Sequence, residues 1–259
     1  MAVVRSGDAD IDFEVHGDGD ALLLIMGVGT DKRGWTMQLP AFAQRYRTIA
    51  YDNRGVGRSS APSPPYSTEQ MADDALAVME AAGIERAHVV GVSMGGAIAQ
   101  HLALKSPERV RSLVLAVTWP GPSPWRARVR ELQRRVATLG REDLVRLRVL
   151  LVFSPPFVNE NPDLLEPIEA TMMQTPLHGY LAHIDACETH DLRARLGEIR
   201  TPTLAIAAAR DVLVPPELTK EIAARIPSAE LVTLDTAHAV QLEAAGDFNK
   251  LILDFLARH

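Results

Sequence analysis

At 259 residues the chain exceeds the usual single-domain range, yet open α/β sheets reach this length around one core, so one domain with an insertion is favoured over two. Its 47% hydrophobic and 23% charged residues describe a soluble globular protein able to bury a large sheet, and they exclude extensive disorder. The net charge of −6 is spread without an acidic or basic tail, which gives no electrostatic reason to expect nucleic acid or an anionic membrane as partner.

Residues 1–15 carry acids where a signal peptide needs an apolar run, and Cys187, the only cysteine, excludes an intrachain disulfide, so a cytoplasmic location is expected. Strand-like segments fall at 11–15, 21–26, 46–51, 88–92, 110–117, 203–208 and 230–234. The run at 21–26 is too short to cross a bilayer and reads as a buried strand. Helical segments alternate with these strands, which is the α/β pattern of a mostly parallel sheet flanked by helices.

One helix start is well marked. Ser67 and Gln70 form a capping-box pair, the apolar face follows as Met71, Ala75, Val78, Met79 and Ala82, and Gly83 ends it. The final helix presents Phe248, Leu251, Ile252 and Phe255 on one face and is expected to cover the sheet. From Trp119 to His183 the alternation fails. This stretch is rich in Arg and Pro, holds two or three amphipathic helical segments and no convincing strand, and is read as a helical cap at 119–183 inserted into a core of 1–118 and 184–259.

The segment His88-Val89-Val90-Gly91-Val92-Ser93-Met94-Gly95-Gly96-Ala97 is a β-run, a small-x-Ser-x-small core and then a helix. A serine at such a strand-to-helix turn projects its hydroxyl clear of the sheet edge, and the glycines leave room for a tight backbone. Ser93 would also stand at a helix start, where free N–H groups favour developing negative charge, with the Met94 N–H as the natural first oxyanion donor. By itself the pentapeptide is weak, because Gly-rich strand-to-helix turns are common.

With these residues the chain resembles the α/β-hydrolase superfamily, and within it the 3-oxoadipate enol-lactonase and carboxylesterase branch. Met26-Gly27-Val28-Gly29 stands where relatives carry His-Gly and variable residues that close the oxyanion hole. The resemblance implies the Val28 N–H as second donor, with Met26 in place of the family histidine. Tyr51-Asp52-Asn53-Arg54-Gly55-Val56-Gly57-Arg58-Ser59 matches the family's D-x-R-G-x-G-x-S turn, a scaffold element. Arg210-Asp211-Val212-Leu213-Val214-Pro215 and Thr236-Ala237-His238-Ala239 stand where relatives place the acid and the histidine.

The chemistry asks for these residue types. A serine hydroxyl needs a base that takes its proton during attack and returns it to the leaving group, and a histidine does both near neutral pH. A carboxylate at the other ring nitrogen fixes the tautomer and stabilises the imidazolium, and the order Ser93, Asp211, His238 agrees with this fold. Thr118-Trp119 offers no carboxylate at the alternative strand end, and Asp235 reads better as a turn former.

Other constellations are weaker. Gly27-x-Gly29 suggests a dinucleotide loop, but Lys32 stands where the third glycine belongs. His183, Cys187 and His190 share a helical face and could hold zinc, although a helix covering the sheet explains them better. Arg126, Arg128, Arg130, Arg134 and Arg135 crowd the cap, and an inward guanidinium could bind a substrate carboxylate. The apolar stripe Val129, Leu132, Val136, Leu139 turns most of them outward, so a solvated face is preferred. Gly27, Trp35 and Trp119 are candidates to line an acyl pocket.

The expected protein is therefore a cofactor-free, metal-free acyl hydrolase acting on a small-molecule ester or enol-lactone, with no nucleic-acid or membrane partner and with homo-oligomer formation left open. C–C bond hydrolases and cofactor-free perhydrolases use the same three residues and stay open as alternatives. So does a hydrolase-fold ligand-binding receptor, because a fold alone does not prove activity.

Overall fold

The structure is a computed structural model, and it describes residues 2–259. Eight strands form one sheet: β1 (Ala2–Ser6), β2 (Ala9–His16), β3 (Asp20–Ile25), β4 (Tyr46–Tyr51), β5 (Ala87–Val92), β6 (Val110–Ala116), β7 (Thr203–Ala208) and β8 (Ala229–Leu234). Their order is β1-β2-β4-β3-β5-β6-β7-β8, with the β1–β2 and β2–β4 pairs antiparallel and the other pairs parallel. The helices are α1 (Leu39–Phe42), α2 (Thr68–Ala81), α3 (Met94–Lys105), α4 (Pro124–Ala137), α5 (Arg141–Val152), α6 (Pro155–Glu160), α7 (Pro162–Gln174), α8 (Leu177–Thr189), α9 (Pro216–Arg225), α10 (Val240–Glu243) and α11 (Ala245–Leu256). No helix among the described residues is long and apolar enough to cross a membrane.

The central strands are apolar on both faces because both are covered. In β3, Leu23 and Ile25 enter the layer under α2, α3 and α9, while Leu22 and Leu24 enter the layer under α1 and α11. The expected cap of α2 is present, since Ser67 Oγ accepts from the Gln70 N–H at 3.0 Å. On α11, Phe248, Ile252 and Phe255 are buried, as the period of that helix demands.

Beyond the sequence expectation lies β1, a short edge strand with mostly exposed side chains. Between β6 and β7 the chain forms five helices, α4 to α8, rather than two or three. The expected boundary at 183/184 falls inside α8, whose Ala182, Ala186 and Cys187 pack in the core under α2 and α3.

Two polar clusters fix the turn after β4. Asp52 accepts from the Lys32 and Arg58 backbone N–H groups, each at 2.8 Å, and the Lys32 ammonium sits between Asp12 and Asp52. Arg54 makes a buried fork to Asp74 at 2.7 and 2.8 Å. This is the scaffold role the D-x-R-G-x-G-x-S match implies.

Candidate active site

A parallel sheet gathers the loops that follow its strands at one rim, and the strand order reverses around β3. Ser93 follows β5 with φ 58° and ψ −119°, a conformation that a residue with a side chain rarely takes. Packing imposes it. A Cβ on Gly91 would lie 2.3 Å from the Gly95 carbonyl oxygen, and one on Gly95 would lie 2.0 Å from that of Ile25. Only glycines let β5 turn into α3 this sharply. The Ser93 N–H donates to Ala116 at 2.9 Å, which ties the turn to β6.

His238 follows β8 and Asp211 follows β7. Nε2 of His238 lies 2.9 Å from Ser93 Oγ, and Nδ1 lies 2.6 Å from Asp211 Oδ2. The other Asp211 oxygen accepts from the Leu213 and Val214 N–H groups at 2.9 and 2.8 Å, so the carboxylate is fully oriented. With that carboxylate as acceptor, Nδ1 carries the proton and Nε2 faces the hydroxyl as acceptor. All three side chains are buried. Asp235 is elsewhere: it is exposed and ion-paired to Arg210.

The loop after β3 closes over the nucleophile. A Cβ on Gly27 would lie 3.0 Å from the Ser93 Cβ. No hydrogen bond among the described residues takes up the Val28 or Met94 N–H, and Met94 opens α3, where the helix leaves its first donors free. Met26, in the family's histidine position, packs into the core, and its carbonyl accepts from the Asn53 side-chain amide at 2.9 Å.

Sequence reasoning missed what holds this loop. The Gly29 carbonyl accepts from the Thr175 hydroxyl at 2.9 Å, and Arg148 Nη2 reaches the Val28 and Gly29 carbonyls at 3.3 and 3.4 Å. The Gly29 N–H donates to His183. Burial lowers the His183 pKa to about 4, which keeps the ring neutral and able to accept. These partners lie far from Gly29 along the chain, so no local signal announces them.

A cavity of about 530 Å³ opens on Ser93 and His238. Gly27 and Trp119 line it, and Trp35 does not. Trp35 is instead fully buried among Met26, Phe42 and Phe248, because its short helix at Lys32–Trp35 turns the indole into the layer under α11. One side of the cavity is apolar, with Phe153, Phe157, Ile168 and Met172.

The arginine expectation needs correcting. The face of α4 that turns inward is Arg126, Val129, Arg130, Gln133 and Ala137, whereas Leu132 and Leu139 are exposed. Arg128 and Arg135 do face solvent, and Arg134 pairs with Asp185 and Glu188. The helix offers two stripes of helical period, and the large Trp119 ring beneath it selects the one whose guanidinium groups can stack on it.

His183, Cys187 and His190 do not converge. His183 bridges Gly29 and Arg54, His190 lies near His101 and the Trp119 carbonyl, and Cys187 lines the cavity.

A family model described as alpha/beta hydrolase fold matches residues 20–245. Among curated relatives, the chain is 38% identical over 263 residues to "Putative carbamate hydrolase RutD" of Azorhizobium caulinodans, with 98% of each chain covered. Among solved structures it is similar to the enol-lactonase from Burkholderia xenovorans LB400, with TM-score 0.92, 29% identity and 99% of this chain and 100% of that one covered. A hydrolase from Pseudomonas aeruginosa PA01 gives TM-score 0.92 at 33% identity, covering 98% and 97% of the two chains.

Proposed function

The chain belongs to the α/β-hydrolase family, and on that premise we propose that it is a serine acyl hydrolase working through a covalent acyl-enzyme on Ser93. The observation that carries the reading is the continuous relay of Ser93 Oγ, His238 and Asp211, at 2.9 and 2.6 Å. As Ser93 Oγ attacks a carbonyl carbon, His238 Nε2 takes the hydroxyl proton and Asp211 stabilises the imidazolium. The carbonyl oxygen gains negative charge and is held by the Val28 and Met94 N–H groups.

His238 then returns the proton to the leaving oxygen, which departs and leaves Ser93 acylated. A water activated by the same ring hydrolyses that ester and restores the enzyme. The proton inventory closes on these side chains and water, so the cycle calls on no cofactor. Helices α4 to α8 act as the cap that shapes the substrate cavity.

A small-molecule ester or enol-lactone is the first reading for the substrate, supported by the similarity to an enol-lactonase. A carbamate is the second, supported by the name of the curated relative. Attack at a carbamate carbonyl runs through the same groups, and the difference lies in what is attached to the carbonyl.

Labelling with a fluorophosphonate tests the core of the reading: the protein should react, and Ser93→Ala should not. Absence of Ser93-dependent labelling overturns it and favours a ligand-binding role. A panel of p-nitrophenyl esters of increasing chain length, an enol-lactone, an aryl carbamate and a vinylogous diketone then ranks the substrate classes.

A further inference from the structure

We propose that Arg126 and Arg130 form an anion subsite in the cavity that reaches Ser93, so that the substrate is an acyl compound carrying a carboxylate; this rests on the acyl-transfer reading above. The two residues stand at i and i+4 on the inward face of α4, and both line the cavity together with Ser93 and His238. The Arg126 guanidinium carbon lies 3.2 Å from the centre of the Trp119 ring and that of Arg130 lies 5.5 Å away. Stacking uses the flat face of a guanidinium and leaves the N–H groups on its edge to find acceptors.

Those edges are unsatisfied. Arg126 Nη1 and Arg130 Nη2 are buried without a hydrogen-bond partner, and neither side chain has a carboxylate within salt-bridge distance among the described residues. The acids whose charges reach Arg126 are already engaged, Asp211 by His238 and Glu188 by Arg134. Two like charges buried side by side without a counter-ion are strongly disfavoured unless an anion arrives. Burial accordingly weighs against the charged form of both, yet a guanidinium stays protonated in proteins.

The other cationic groups of the cavity are spent. Arg148 donates to the Val28 and Gly29 carbonyls, and Arg33 is paired to Asp31. The remaining lining is largely apolar, with Phe153, Phe157, Ile168 and Met172, so the pair supplies positive charge in otherwise greasy surroundings. A carboxylate is flat and takes two parallel N–H donors, which is the geometry that the exposed edge of an arginine provides. Ester, lactone or carbamate carbonyl and carboxylate are then recognised by separate groups, the first by the relay and the second by α4.

The experiment compares two esters of similar length, 4-nitrophenyl hydrogen succinate and 4-nitrophenyl pentanoate, on the wild type, Arg126→Gln, Arg130→Gln and Arg130→Lys. The wild type should prefer the anionic ester, and each Gln variant should lower the ratio of kcat/KM values by about 10- to 100-fold, the size of a lost charge-assisted hydrogen bond. Arg130→Lys should recover part of the ratio. Glutarate should inhibit the wild type competitively and the Gln variants far less, with folding followed by circular dichroism.

A ratio that stays the same in variants still labelled on Ser93 by a fluorophosphonate overturns the subsite while leaving the acyl-transfer reading standing. A wild-type protein that is not labelled overturns that reading instead. Glutarate inhibition does not involve the variants' fold, so its absence in the wild type is a separate outcome against the subsite.

Discussion

The Gly29 N–H donates to Nδ1 of His183 at 3.1 Å, and Nε2 of the same ring contacts the Arg54 carbonyl at 2.6 Å. With Nδ1 as acceptor, Nε2 must carry the proton, so the ring is one defined tautomer joining the loop after β3 to the turn after β4. Gly29 adjoins Val28, and a proposed oxyanion donor displaced by a fraction of an ångström is a weaker one. His183→Phe should therefore lower kcat by about 10- to 100-fold, part of the loss expected on removing one oxyanion donor outright. His183→Gln, which can still accept, should recover part of it. Steady-state kinetics with kcat and KM resolved check this, and an unchanged kcat in the Phe variant would mean that the loop holds itself.

The positive φ of Ser93 stores strain that the fold tolerates for the sake of the turn. At φ 58° and ψ −119° glycine is comfortable, so Ser93→Gly should relieve about 1–3 kcal/mol of backbone strain while gaining about 0.5–1 kcal/mol of unfolded-state entropy. The net expectation is a protein more stable by about 1 kcal/mol and without turnover. Ser93→Ala keeps its Cβ and should show no such gain. Thermal unfolding of the two variants side by side decides it, and a Gly variant no more stable than Ala would remove strain from the account.

Three buried histidines set the acid side of stability. Burial is the largest cause in each, lowering His88 and His183 to about 4 and His190 to about 3. The folded pKa lies below the unfolded value of about 6.5, so their stabilising contribution is complete above that pH. As pH falls from about 6.5 towards 4 the unfolded chain takes up protons that the folded one refuses, and each ring removes at most about 1.4 kcal/mol per pH unit. Urea unfolding at pH 7 and pH 5 should show a marked drop. His88→Gln, with its partner Ser112 Oγ at 2.7 Å still able to bond, should flatten the slope. An equal slope in that variant would place the acid sensitivity elsewhere.

The core of the fold was legible because its signals are local. Strands 46–51 and 203–208 are all or nearly all buried and bounded by turn residues, and the helix capped by Ser67 shows its start in four consecutive letters. The relay was legible for another reason: the order Ser93, Asp211, His238 and their strand-end positions form a joint pattern that a single residue lacks. What escaped was decided by tertiary context. β1 is too short and exposed for a period to emerge, and the inward face of α4 depends on the Trp119 ring that lies under it. The Thr175, Arg148 and His183 contacts with the Gly29 loop join residues more than a hundred positions apart, where no spacing rule applies.

Arg54 and Asp74 give the sharpest test of the scaffold. Both side chains are almost fully buried, at 1% and 0% exposure, and they share a two-point fork, whereas the second acid on Arg54, Asp8, is 56% exposed. Removing Asp74 takes the two-point buried fork from Arg54 and leaves its charge only the exposed Asp8, so Asp74→Asn should destabilise by about 3–5 kcal/mol. An exposed pair contributes at most about 1 kcal/mol, so Asp8→Asn should shift stability only slightly. The Arg54 carbonyl also receives the His183 N–H, so disorder at Arg54 reaches the loop beside Ser93. Asp74→Asn should therefore lower kcat as well as stability, whereas Asp8→Asn should leave kcat unchanged. Urea unfolding and kinetics on both variants check the contrast, and equal effects at the two positions would show that burial is not what makes the pair matter.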